Sequence, residues 1–270
     1  MTALSRFTIG HGLALHVDDS GGPGLPMLFQ HGLCGDARQT SEAFPDDPAF
    51  RRITLEMRGH GTSEAGDPLQ FSIATFAGDV EAFIKASGFA PVVAGGISMG
   101  AAIALRLACK HPELVRGLVL ARPAWITAAA PPNMKPNMEV GALLARLPQA
   151  EALNAFLSSP TAQQLATAAP DNLASLKGFF GREPQSVTAQ LLLRIAADGP
   201  GVTEDEVRSI RVPTLIIGTA EDFVHQLAHA RALQRLIASS KLVEITPKAR
   251  DKNRYTLDFR AALGAFLKEF

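Results

Sequence analysis

Gly96-Ile97-Ser98-Met99-Gly100 decides how this chain is read. The five residues follow an apolar run, Val92-Val93-Ala94, and precede Ala101 to Lys110, a stretch of helix-favouring residues. A Gly-x-Ser-x-Gly stretch between a strand and a helix predicts a sharp turn with the serine at its top. The glycines have a steric purpose, because a serine in so strained a turn leaves no room for bulky neighbours. The Ser98 hydroxyl is then exposed as a candidate nucleophile, with the Met99 amide facing its zone of attack. A bland glycine-rich turn has the same composition, so the flanking strand and helix carry the inference.

Two further segments extend the pattern. Met27-Leu28-Phe29-Gln30 reads as a buried strand and runs straight into His31-Gly32-Leu33-Cys34-Gly35. Ile53-Thr54-Leu55-Glu56 is followed by Met57-Arg58-Gly59-His60-Gly61-Thr62-Ser63. In this order the three motifs resemble the α/β-hydrolase superfamily, in the branch that carries a helical cap. The resemblance covers nearly the whole chain and is far more specific for fold than for substrate. It implies a mostly parallel sheet with helices on both faces and an inserted helical cap.

The periodicities agree with that architecture. Phe7 to Val17 reads as a strand pair turning at Gly10-His11-Gly12. Ser72 is a candidate N-cap for a helix with Phe76, Val80, Phe83 and Ile84 on one face. Gly117 to Ala121 is a further buried strand. After Arg122-Pro123 the chain becomes rich in Ala, Leu and Pro, with helical spacing and no strand signal. Strand signals return at Pro213-Thr214-Leu215-Ile216-Ile217-Gly218. The expected division is therefore a catalytic domain at 1–123 and 208–270, with a cap at 124–207. A strand at Lys241 to Ile245 and a helix carrying Phe259, Leu263, Phe266 and Leu267 close the chain.

Composition narrows the classes. The 270 residues are 47% apolar, enough for one large core. Lys plus Arg and Asp plus Glu each number 26, so the formal charge is zero, which argues against a nucleic-acid partner. The two cysteines, Cys34 and Cys109, form neither a disulfide framework nor a metal-spacing pattern. No metal and no cofactor is expected, since no dinucleotide fingerprint or phosphate loop is present. Met1 to Arg6 lacks a basic start and an apolar stretch, so no signal peptide is expected. No run of 18 apolar residues suggests a membrane span. The expectation is a cytoplasmic protein acting on a small molecule, with a homo-oligomer left open.

Acyl transfer by a serine needs a base, a carboxylate to orient that base, and donors for the developing oxyanion. The resemblance implies the backbone amides of Leu33 and Met99 as the donors. It implies loop-shaping and structural roles for His31 and His60. Family chain order, serine then acid then histidine, points to Asp222, just past the Pro213–Gly218 strand, with Glu221 as the neighbouring alternative. The family's histidine normally lies in the loop after the last strand. Here that loop, Thr246 to Arg254, contains none, and no histidine follows His229.

Three readings answer the departure. His225, three residues after Asp222, serves as base; in related capped hydrolases this position lines the pocket near the serine. Alternatively Lys248 or Asp251 serves. Or the protein is not a serine hydrolase, and instead binds a ligand without turnover or cleaves a C–C bond in the same pocket. The best-supported expectation is a hydrolase of an ester, lactone or similar carbonyl compound, with Ser98 as nucleophile, Asp222 as acid and His225 as base. Arg122 ends a buried strand at the expected site face and is followed by Pro123-Ala124-Trp125. Arg122 and Trp125 are the candidate substrate-binding residues, Arg122 by clamping a carboxylate. The competing role for Arg122 is a salt bridge between cap and core. Cys34 is expected to fill space rather than to react.

Overall fold

A computed structural model describes residues 5–270. Met1 to Leu4, on which the signal-peptide reading partly rests, lie outside the described residues. In chain order the elements are β1 (Arg6–Thr8), β2 (Ala14–Asp19), β3 (Leu25–Gln30), α1 (Ala37–Ala43), β4 (Phe50–Leu55), α2 (Ile73–Ser87), β5 (Val92–Ile97), α3 (Met99–Lys110) and β6 (Val115–Ala121). Then come α4 (Lys135–Leu144), α5 (Gln149–Leu157), α6 (Pro160–Ala168), α7 (Pro170–Phe179), α8 (Gln185–Ala197) and α9 (Glu204–Arg208). The chain ends with β7 (Thr214–Thr219), α10 (Leu227–Leu236), β8 (Ser240–Ile245) and α11 (Lys252–Leu267).

The eight strands form one sheet in the order β1-β2-β4-β3-β5-β6-β7-β8. β1 to β2 and β2 to β4 are antiparallel, and every later pairing is parallel. A parallel strand covered on both faces must be apolar on both, which explains the unbroken apolar runs. All six residues of β5 and of β7 are buried. Alternate residues serve opposite faces. Ala94, Leu118 and Leu120 pack with α2 and α3 residues such as Phe76, Val80, Ile103 and Leu107. Val93, Ile97, Val119 and Ala121 pack with Phe259, Leu263 and Phe266 of α11.

The turn chemistry follows the sequence. Ser72 caps α2 by accepting from the Thr75 amide, and Gly88 ends that helix at φ 71°. Between β6 and β7 the chain is helical throughout its regular structure, α4 to α9. This segment has no core of its own. Phe156, Leu165, Leu176, Leu191, Leu192 and Ile195 are buried in the same apolar cluster as Leu118 and Leu120 of the sheet. Leu157 is the exception among its large apolar residues, standing 40% exposed. Among the described residues, no helix is long and apolar enough to cross a membrane.

Candidate active site

The site is built at the carboxyl edge of the central strands, where ligands gather in open α/β sheets. Ser98 links β5 directly to α3, with φ 57° and ψ −110°. A non-glycine residue there costs roughly 1–3 kcal/mol, so its surroundings must hold it. They do: the Ser98 amide donates to Ala121 O at 2.9 Å, and its carbonyl accepts from the Ala101 and Ala102 amides. The flanking glycines leave no alternative. A Cβ on Gly96 would strike the Gly100 backbone, and one on Gly100 would strike the Gln30 carbonyl.

Across from the serine lies the turn between β7 and α10. His225 Nε2 is 2.9 Å from Ser98 Oγ, and His225 Nδ1 is 3.0 Å from both oxygens of Asp222. A carboxylate only accepts, so the network assigns the proton to Nδ1. Nε2 is then free to accept from the Ser98 hydroxyl. The Asp222 carboxylate also accepts from the His225 backbone amide at 2.9 Å, closing a tight turn that carries both residues.

Arg122 stands behind this pair at φ 46°. Its Nε and Nη2 both donate to Asp222 Oδ2, at 3.0 and 2.5 Å. Its Nη2 also lies 3.2 Å from His225 Nδ1, and its Nη1 donates to the Tyr255 hydroxyl at 3.3 Å. Burial alone would raise the Asp222 carboxyl, but the Arg122 charge and the hydrogen bonds from His225 hold it well below the usual carboxylate range. For His225, burial pushes the pKa down, the Asp222 charge pushes it up, and the Arg122 charge adds to the lowering; the net direction is down. The ring is thus neutral at neutral pH.

The loop after β3 supplies the opposite wall. The Gly32 amide donates to Gln39 Oε1 at 2.6 Å, the Cys34 amide to His60 Nε2 at 3.0 Å, and the Gly35 amide to Gly32 O at 3.0 Å. Among the described residues the Leu33 and Met99 amides have no such acceptor. Two unpaired amides on the segments that flank the Ser98 hydroxyl are what an oxyanion site requires. His31 donates from Nδ1 to Gly32 O at 2.8 Å and accepts the Met57 amide at Nε2. His60 donates from Nδ1 to Arg58 O at 3.0 Å. Both rings lie inside the loop's hydrogen-bond framework, and burial lowers both pKa values. Burial pushes the Cys34 thiol up to about 11, away from reactive thiolate.

A cavity of about 390 Å³ opens over Ser98 and His225. Leu33, Arg122, Val224 and Lys248 line it from the sheet side, and Asn137, Leu176 and Phe179 from the helical segment. Two expectations need correction. Arg122 reaches the cavity, but its fork is occupied by Asp222, not left for a substrate; the Asp171 carboxylate of α7 is also within 3.9 Å. Trp125 does not line the cavity. It is 2% exposed, and its indole N–H donates to Asp198 O at 2.9 Å, because so large a ring gains most by burial in the core. The other base candidates are engaged elsewhere. Lys248 Nζ pairs with Asp171 at 3.2 Å, and Asp251 caps α11.

Sequence reasoning missed Asn172 and Asn133. Asn172 of α7 donates to Asp222 Oδ1 at 3.0 Å and accepts the Phe223 and Val224 amides. Asn133 donates to Ala124 O and Val224 O, at 2.9 and 2.6 Å. Together they fasten the 222–225 turn to the helical segment. No local signal marks either one, since their partners on that turn lie 50 and 91 residues away.

With the fold and this geometry in hand, the family follows. A model of the alpha/beta hydrolase fold matches residues 26–251, and the chain belongs to that family. It is 26% identical over 241 residues to the Klebsiella pneumoniae protein named "Putative carbamate hydrolase RutD", covering 86% of this chain and 87% of that one. The enol-lactonase from Burkholderia xenovorans has the same fold, with a TM-score of 0.71 and 22% identity over 96% of this chain and 98% of its own. An esterase from Exiguobacterium antarcticum superposes with a TM-score of 0.74 at 20% identity, covering 98% and 99%.

Proposed function

We propose that the protein is a hydrolase of small carbonyl substrates, an ester, lactone or similar compound. Ser98 is the nucleophile, His225 the base, Asp222 the orienting acid, and the Leu33 and Met99 amides the oxyanion donors. The observation that carries the reading is the unbroken hydrogen-bond line from Ser98 Oγ through the His225 ring to Asp222. The names of the similar proteins, a carbamate hydrolase, a lactonase and an esterase, support the reaction class. The helical segment between β6 and β7 then serves as a cap that roofs the cavity.

The chemistry balances as two acyl transfers. Ser98 Oγ attacks the carbonyl carbon while its proton passes to His225 Nε2. The carbonyl oxygen takes up the negative charge facing the two free amides. Collapse breaks the bond to the leaving group, which departs with the proton from His225, and leaves an acyl ester on Ser98. A water then gives its proton to His225 and attacks that ester. The second collapse releases the acid and returns the proton to Ser98 Oγ. Arg122 and Asn172 keep Asp222 ionised and in place throughout.

Labelling with a fluorophosphonate, followed by peptide mapping, tests this directly. Label on the Ser98 peptide is expected, absent in Ser98→Ala and strongly reduced in His225→Ala. The two variants should lose comparable turnover, because the members of such a set act as a unit. Labelling of His225→Ala at the wild-type rate would remove His225 from the role of base. An unlabelled, folded wild-type protein would remove the serine mechanism altogether.

A further inference from the structure

The cations around the cavity are unequally satisfied. Arg38 pairs with Asp36 at 2.7 Å, Arg122 with Asp222 at 2.5 Å, and Lys248 with Asp171 at 3.2 Å. Arg182, between α7 and α8, also lines the cavity. Among the described residues it forms no ion pair. Its guanidinium makes two long hydrogen bonds, to Thr188 Oγ1 and to Gly59 O, each 3.3 Å. A guanidinium carries five N–H donors in a planar fork, so most of its capacity is unused.

The position of that charge is informative. It shares the cavity wall with Leu33, Cys34 and Gly35 and is bonded to Gly59 O, which places it beside the oxyanion loop.

We infer that Arg182 is a specificity residue that binds a carboxylate carried by the acyl portion of the substrate. The favoured substrates are half-esters or lactones of dicarboxylic acids, not neutral acyl compounds. The inference rests on the serine-hydrolase reading for its turnover test but not for its binding test. Arg122 cannot take this part, because Asp222 already occupies its fork. Arg182 has no such internal claimant, and a planar carboxylate meets its donors two at a time.

The test compares 4-nitrophenyl hydrogen adipate with 4-nitrophenyl hexanoate, two esters of equal acyl length that differ in one terminal carboxylate. The wild type should favour the adipate by about 10-fold or more in kcat/KM, on the order expected for one charge-assisted pair. Arg182→Gln should reduce the ratio of the two kcat/KM values at least 10-fold, and Arg182→Lys should restore part of it. A purely structural Arg182 would slow both esters alike and leave the ratio unmoved, and that result would overturn the inference. Calorimetric binding of adipate to Ser98→Ala, with and without Arg182→Gln, needs no turnover. Binding lost on Arg182→Gln while the wild type hydrolyses neither ester would retain the anion site and reject the hydrolase reading. Equal adipate affinity in both proteins would reject the anion site whatever the enzyme hydrolyses.

Discussion

Arg122 sets two opposing demands on the proposed triad. Its guanidinium keeps Asp222 anionic, which favours a charged imidazolium at His225. The same cation sits 3.2 Å from the ring and disfavours that charge. With the net direction downward, the acid limb of kcat/KM should lie below the ordinary histidine value of 6.5. Arg122→Gln removes the repulsion, so His225 should take its proton at a higher pH. The limb should move upward in a pH–rate profile; a limb that stays or moves down would mean Arg122 does not act on His225. Ser98 was legible because its whole motif is local. Asp222 and His225 were legible because three residues of chain hold them together. Arg122 was legible as a residue of the site face but not in its contact, since Asp222 lies 100 positions away. Arg182 and Asn172 gave no signal, being single polar residues on a helical segment whose docking only the fold defines.

The β5–α3 turn is the element whose tolerance is smallest. Gly100→Val would drive a side chain into the Gln30 carbonyl, where backbone cannot yield cheaply. Overpacking of this kind typically costs about 1–3 kcal/mol and sometimes more, so reduced solubility or a clearly lower urea midpoint is expected. Gly78 is the contrasting case: it lies within α2, and a Cβ there meets nothing within 4 Å. Gly78→Ala should therefore stabilise by roughly 0.5–1 kcal/mol through helix propensity. Equal urea midpoints for the two variants would contradict this account. Strands were readable at this scale because β5 and β7 are buried on both faces and so carry short apolar runs, Val92 to Ala94 and Leu215 to Ile217. Helix existence between residues 124 and 207 was readable from spacing. The inward direction of Trp125 was not, because it depends on where the helical segment lies over the sheet.

At the scale of the molecule, two histidines tie the β3 and β4 loops together as neutral groups. His31 and His60 each accept a backbone amide at Nε2, which protonation would abolish. Their pKa values are lowered in the fold, so the unfolded chain binds protons first as the pH drops. Stability should be full above the ordinary value of 6.5 and decline below it, by up to about 1.4 kcal/mol per pH unit for each histidine. Urea unfolding at pH 7.5 and 5.5 measures this, and an unchanged midpoint would show that the rings do not hold the loops in their neutral form. One feature of the proposed triad has a mechanical meaning. The acid and the base share a single four-residue turn, so they travel as one rigid jaw, with Ser98 as the fixed anvil. A displacement of the jaw leaves the Asp222–His225 spacing intact while it opens the gap to Ser98 and strains the contacts to Arg122. The asparagines that pin the turn, 172 and 133, are then its set-screws.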